Sequence, residues 1–361
     1  MENSSTSGAV IATQAIRKAT VAAIAALSLL AAAIAGCGSK ETDAPPPAAE
    51  SASGTADAPL KIRLGVDSYS FSFQFRVAQG AGIFKKHGID AEISTYSFGI
   101  DTIDAAILGQ TDSAQGMDYA VASRFSESND LRIVAYIGGP KPEGEKLYTR
   151  LPDVNSIVDL KGKTLGVKKG TVNEYIWGKV FELYGIDPKE VEQVYLGSTA
   201  ELLAAYQTGE VDAFWVNAEV ERAVREVSGS KRLGDLDLAK TVYRGYLLLD
   251  EKFIRANKAG IVRLLRALDE ATVYISAHPK ESAQIICDDL KVPKETVLET
   301  LRFYNYDVRL SGEDLDHIAD VADWSVKNGL IKKQYDIRQF IHLDLLREAL
   351  PEKLTVPEAG A

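Results

Sequence analysis

The chain has 361 residues, of which 46% are hydrophobic and 25% charged, and a formal charge of −10. The length exceeds one ordinary core and predicts two lobes. The acidic balance lacks the basic footprint that nucleic-acid binding requires, so no nucleic-acid partner is expected.

Residues 1–36 read as an export leader. Arg17 and Lys18 precede an apolar run, 19–34, interrupted only by Thr20 and Ser28. The run is short for a membrane span, which needs roughly 20 apolar residues. It fits a secretory signal. Its ending, Ile-Ala-Gly-Cys, resembles a bacterial lipobox, which implies cleavage before Cys37 and lipidation of its sulfur. Cys37 and Cys287 are the two cysteines, so lipidation of the first leaves no disulfide to form. Cys287 reads as a buried apolar residue. Residues 37–59 include Pro45-Pro46-Pro47 and almost no large apolar side chains, which reads as a flexible tether.

The first strand is expected at 61–66, followed by the polar and aromatic loop 67–74 and a helix to about 86. Further elements follow as strand 91–96, helix 100–108, strand 111–114, helix 119–125, and strands 131–137 and 147–150. Tyr69, Phe71 and Phe73 alternate, which suits either a strand extension facing the core or a stack for a flat ligand.

The pattern then restarts. Strand 163–167 breaks at Lys168-Lys169-Gly170, and Thr171 stands three residues before Glu174, the capping-box spacing. Helix 172–184 ends at Gly185, with Pro188 just beyond. Strand 191–196, helix 199–208, strand 212–216 and helix 219–227 complete the repeat. Trp215, inside its strand, reads as core. Alternating strands and helices predict parallel, doubly wound sheets. Such sheets bind ligands at the carboxyl ends of their strands. From 241 the texture changes: one strand at 243–249, then helices at 259–277, 279–289, 294–304, 312–328 and 341–349.

Five stretches together resemble one family: AQGAGIFKKHGIDAEI, AAILGQTDSAQG, SIVDLKGKTLGVKKGTVNEYIWGKVFELYGID, LLAAYQTGEVDAFWV, and RGYLLLDEKFIRANKAGIVRLLRALDEATVYISAHPKESA. In order and spacing they are similar to bacterial solute-binding proteins of ABC importers, in the aliphatic-sulfonate, taurine, nitrate and pyrimidine-precursor group. The likeness spans about residues 60–310. It departs in two loops, DSYSFSFQ after the first strand and Asn217-Ala218-Glu219 after the VDA strand, where relatives often carry proline.

The resemblance implies an α/β fold of the two-lobed periplasmic-binding-protein type II, with two doubly wound sheets joined by a two-strand hinge. Lobe 1 is expected at 60–150 plus 243–350, lobe 2 at 155–240, and a tail at 351–361. The crossings are expected near 149–152 and 242–245. The implied activity is a receptor, not an enzyme. It would be exported, lipid-anchored on a membrane facing the periplasm or cell exterior, and monomeric. It would deliver a small molecule to an ABC permease and its ATPase. The ligand class implied is a sulfonate- or nitrate-like anion or a pyrimidine-type compound. Alternatives are an enzyme of pyrimidine-precursor synthesis on the same fold and a ligand-sensing lipoprotein. His87, His278, His317 and His342 are scattered through helical stretches without metal-ligand spacing and read as surface or helix-terminal residues. No cofactor, metal or catalytic residue is expected.

The ligand contacts follow from strand-end topology. They are Ser70, Phe71 and Gln74 from the first loop, Gly116 and Asp118 from the third strand end, and Gly139. From the second lobe come Thr171 and Val172 through backbone N–H groups at the helix start, then Asn173, Asn217 and Glu219. Lys168 and Lys169 are possible assistants to an anion. Asp118 and Glu219 would oppose an anion and orient a cation.

Overall fold

The computed structural model describes residues 58–127 and 130–357. The expected leader, Cys37 and nearly all of the tether lie outside the described residues.

Two sheets carry the described chain. The larger has seven strands: β1 (Leu60–Asp67), β2 (Ile89–Tyr96), β3 (Ser113–Met117), β4 (Leu131–Pro140), β10 (Gly245–Asp250), β11 (Tyr304–Ser311) and β12 (Leu354–Thr355). Their spatial order is β12-β11-β4-β10-β3-β1-β2. The smaller has five: β5 (Glu145–Thr149), β6 (Thr164–Lys168), β7 (Glu192–Leu196), β8 (Ala213–Asn217) and β9 (Lys231–Asp235), in the order β7-β6-β8-β5-β9.

Helices cover both faces of the smaller sheet, so its strands are apolar on both sides. In β8, Ala213 and Trp215 face one way and pack with Trp177, Ile176 and Val180 of the helix Val172–Tyr184. Phe214 and Val216 face the other way and pack with Leu202 and Tyr206 of the helix Thr199–Thr208. Period-two alternation sends successive side chains to opposite faces. The larger sheet has a core of its own, in which Leu64, Ile133 and Leu248 are fully buried.

The sheets are mixed, not wholly parallel. β10 runs antiparallel to both β3 and β4, β11 antiparallel to β4, and β5 antiparallel to β8 and β9. The first passage between sheets is also earlier than expected. Glu145–Thr149 is buried along its whole length and pairs within the smaller sheet, so the chain crosses at 141–144, not near 149–152. Residues 145–150 therefore sit with lobe 2. The second passage runs through Tyr243 and Arg244 into β10.

Several elements differ from expectation. The helix at 294–304 stops at Arg302, and Tyr304, Val308 and Leu310 then alternate inward as β11. A single return strand is thus replaced by three. β9 was not expected, because its Lys-Arg-Leu-Gly-Asp sequence carries too little apolar signal for an edge strand. The aromatic loop is not a strand extension: Ser70–Ser72 forms one 3-10 turn, and a helix begins at Phe73. Phe71 and Phe73 consequently enter different cores. The first helix breaks at Gly82, whose φ is +74°. A short helical stretch from Glu251, capped by Asp250 accepting from the Phe253 N–H, precedes a kink at Asn257, and the helix expected from 259 runs on from there to Ala277. Cys287 is partly exposed, not buried.

Gly245 opens β10 beneath Phe71. A Cβ there would lie 2.2 Å from the Phe71 ring and 3.0 Å from the Gly138 carbonyl oxygen. Gly245→Ala is expected to destabilise the chain by about 1–3 kcal/mol, the usual cost of overpacking. Denaturant unfolding measures it, and an unchanged midpoint contradicts the close approach.

Candidate ligand-binding cleft

A cavity lies between the two sheets, with about 820 Å³ of empty space when its solvent-open mouth is included. Its walls come from one end of every contributing strand. Asp67 ends β1, Met117 ends β3, Pro140 ends β4, Lys168 ends β6 and Asn217 ends β8. The antiparallel strands enter at the same edge by register: Glu145 of β5 lies opposite Asn217, and Tyr304 of β11 opposite Pro140. Tyr243, in the second crossing, lines the same space.

The lobes touch around this cavity. Glu219 Oε1 accepts from the Ser70 N–H at 3.0 Å. Tyr119 donates its hydroxyl to Glu174 Oε2 at 2.6 Å, and the Trp324 indole N–H donates to Glu182 at 2.8 Å. The Lys146 ammonium lies 4.7 Å from the Phe303 ring centroid.

Three carboxylates line the cavity: Asp67, Glu145 and Glu219. Among the described lining residues, Lys168 is the one cation. Glu145 is buried, accepts from the Tyr243 hydroxyl at 3.1 Å and faces the Lys168 ammonium at 3.7 Å. Asp67 accepts from the Tyr69 N–H at 3.0 Å. Burial pushes the Asp67 carboxyl up to about 7, and the charge of Glu219 adds to the shift. Burial also raises Glu219, and Glu145 pushes in the same direction.

The wall holds buried polar atoms without a hydrogen-bond partner. Both amide atoms of Asn173 are unpartnered, with the residue 1% exposed. Asn217 Oδ1, Thr300 Oγ1 and the Tyr304 hydroxyl share that condition. Buried polar groups are normally paired, so such a set facing one cavity marks a place for a ligand or ordered water. Aromatic rings enclose it, with Tyr69 stacked on Phe98 at 6.0 Å and 12°.

Of the expected contacts, Ser70, Phe71, Thr171, Val172, Asn173, Asn217 and Glu219 line this cavity. The other four do not. Gln74 points into the first lobe and donates to Thr272 at 2.7 Å. Gly116 lies under Ile103 and Val121, where a Cβ would fall 2.6 Å from Ile103. Gly139 faces the Tyr243 carbonyl oxygen instead. Asp118 is fully buried and accepts from the N–H groups of Tyr119 and Arg244 and pairs with His317 at 2.7 Å. It is a structural carboxylate.

His317 is accordingly an interior partner, not a surface residue, and His87 pairs with Glu270 at 2.8 Å. The helix-start N–H groups are also largely engaged. Thr171 N–H bonds the Lys168 carbonyl, and Asn173 N–H bonds Thr171 Oγ1. Glu174 accepts from Gly170, not Thr171, so the capping box is not reciprocal. Lys168 is buried and paired, whereas Lys169 is exposed.

Sequence reasoning missed Asp67, Glu145, Thr300, Phe303 and Tyr304. Asp67 carried a readable signal, an acid closing an apolar strand. The others depended on β5 and β11, whose places in the sheets were misassigned.

The architecture is the two-lobed type II periplasmic-binding fold. A structure of the periplasmic aliphatic sulphonate binding protein SsuA from Escherichia coli matches it with a TM-score of 0.70 at 22% identity, covering 79% of this chain and 92% of that one. The periplasmic nitrate-binding protein NrtA from Synechocystis PCC 6803 matches with a TM-score of 0.66 at 14% identity, covering 82% and 90%. A Haemophilus influenzae protein named for thiamine biosynthesis is 25% identical over 282 residues, 73% of this chain and 85% of its own. A Bacillus subtilis protein named for aliphatic sulfonate binding is 22% identical, over 74% and 81%. The NMT1/THI5-like family model matches residues 72–282, more than half of the chain, and the chain belongs to that family.

The Asp67 carboxyl gives a test of the cavity's electrostatics. Folded, it keeps its proton to about pH 7; unfolded, it releases it near pH 4. Between those values the native state binds more protons, so this group's contribution to stability falls as pH rises through the window. Asp67→Asn keeps an oxygen for the Tyr69 N–H and does not ionise. The variant is expected to match the parent near pH 4 and to be the more stable of the two near pH 8. Thermal unfolding at both values reads the gap; a gap that does not widen with pH contradicts the assignment.

Proposed function

We propose that the chain is an exported solute-binding receptor of an ABC importer, which captures a small organic molecule between its lobes and hands it to a permease. The observation that carries this is the interlobe cavity, whose buried Asn173 amide and neighbouring hydroxyls have no protein partners. Two chain passages form a hinge at the cavity's edge, the arrangement by which such lobes open and close around a ligand. The names and folds of relatives support the same reading.

Cys37 is proposed as the lipidated first residue of the mature protein. Anchoring would keep the receptor near its permease and raise its effective concentration there. Cys37→Ser is expected to abolish incorporation of labelled fatty acid and to release the protein from the membrane fraction. A variant that stays labelled and membrane-bound refutes the anchor.

The receptor reading predicts a bound molecule. Native mass spectrometry of protein purified in detergent from its own cell envelope is expected to show one small molecule per chain. Asn173→Leu keeps the side-chain volume and removes two unpartnered amide atoms. It should leave stability unchanged or raised by about 1 kcal/mol, because unmade buried hydrogen bonds are costly. The same variant should lose the bound molecule. A parent protein that carries nothing at any stage of growth contradicts the receptor reading.

A further inference from the structure

We infer that the molecule held in this cleft is an organic cation, a protonated amine or amidine on a flat apolar frame, with Asp67 and Glu219 as its counter-charges. The inference rests on the receptor reading and deepens it.

The lining charges lead to that sign. Lys168 and Glu145 answer each other across 3.7 Å, and Glu145 also holds the Tyr243 hydroxyl. Asp67 and Glu219 remain. Behind Asp67 stands Arg76, but its guanidinium donates to the Asp67 main-chain oxygen at 2.8 Å and pairs with Asp289. Glu219 Oε1 accepts from the Ser70 N–H at 3.0 Å, and the Ser70 side chain and the Glu219 main chain also favour its charged form. Each carboxylate therefore has spare acceptor capacity in a desolvated place, and the charge of Glu219 adds to the rise at Asp67. A sulfonate or nitrate would find the one ammonium already committed and would oppose ionisation of both carboxylates. A cation would relieve both carboxylates.

The uncharged part of the wall agrees. Asn217 Oδ1 and the Asn173 oxygen are unpartnered acceptors that N–H groups of a ligand would satisfy, while the Asn173 amide nitrogen and the Thr300 and Tyr304 hydroxyls are donors free for an acceptor elsewhere on its frame. Tyr69 and Phe98 supply stacked ring faces beside them, and a cation over an aromatic face gains attraction from the ring quadrupole. The buried Asn173 amide is independent of the acidic cluster and aims at the same space.

Three isosteric probes separate the signs: benzamidine, benzamide and benzoate. Titration calorimetry on the full chain in detergent, near pH 7, is expected to show benzamidine binding at least about tenfold tighter than the other two. Glu219→Gln preserves an oxygen for the Ser70 N–H and should weaken benzamidine by about tenfold or more without lowering the melting temperature. Comparing buffers of different ionisation enthalpy should show net proton release on benzamidine binding, since the cation displaces protons from Asp67 and Glu219. Benzoate binding more tightly, in a manner abolished by Asn173→Leu, overturns the cation and leaves the receptor standing. Benzamidine that fails to bind, or binds Glu219→Gln unchanged, also overturns it. The receptor reading fails separately, if protein from its own envelope carries no small molecule.

Discussion

Two hydrogen bonds between Asp118 and Arg244 fix the rest of the architecture. The Asp118 N–H donates to the Arg244 carbonyl at 2.8 Å, and Asp118 Oδ2 accepts the Arg244 N–H at 3.0 Å. They extend the β3–β10 ladder one step beyond the Gly245–Met117 pair. Arg244 is where the chain returns from the second lobe, so these bonds set where the return begins. The Arg244 side chain reaches onward to Glu313 and Asp314 at the start of the helix Gly312–Lys327. His317 on that helix closes the circuit onto Asp118. A carboxylate with so many partners is retained by position. It ties the crossing, the central antiparallel strand and a later helix to one point beside the cavity.

The cavity inherits its chemistry from that arrangement. With β10 antiparallel at the centre of its sheet, Tyr243 arrives at the same edge as Asp67 and Met117. β5 arrives likewise in the second sheet and brings Glu145 opposite Asn217. Carboxylates taken out of solvent resist ionisation, and burial raises both Asp67 and Glu219. The Arg76 charge offsets part of the rise at Asp67 but its guanidinium bonds the main-chain oxygen and not the carboxylate, and Lys168 pairs with Glu145. The cost of holding them is met by the rigid strand ends and by the cores on either side. Such a strained, underpaired wall belongs to binding sites more than to structural interiors.

Much of the fold was legible in the sequence. Helix Val172–Tyr184 and helix Thr199–Thr208 match their expected limits, because each has a side-chain cap at its start and a glycine in the left-handed region at its end. Those signals are local. β8 was legible as a continuous apolar run. β9 and β11 were not placed, since one is a polar edge and the other follows directly on a helix. The crossing was misplaced for a related reason: a buried five-residue strand does not announce which sheet it joins. In the site, strand-end topology picked out Ser70, Asn173, Asn217 and Glu219, which line the cavity, but it also drew in Gln74, Gly116 and Asp118, which do not. Strand ends point both toward the cleft and back into the lobe, and the periodicity that separates them is lost in the turn.

Two short loops, one from each lobe, meet across the cavity. DSYSFSFQ contributes Asp67 and the Tyr69 ring, and the Asn217-Ala218-Glu219 turn contributes an amide acceptor and a carboxylate. They face each other across the cleft and meet in the Ser70–Glu219 hydrogen bond. That bond joins the lobes through the residue that also carries one of the spare charges. In the receptor proposed above, closure and ligand recognition share a carboxylate. A ligand group that takes one Glu219 oxygen while Ser70 keeps the other favours the closed arrangement, and only such differential contact shifts the balance between open and closed. The family fold supplies the hinge and the strand ends. Asp67 and Asn217 are the last residues of β1 and β8, so the sheets themselves place the polar groups of these two turns at the cavity.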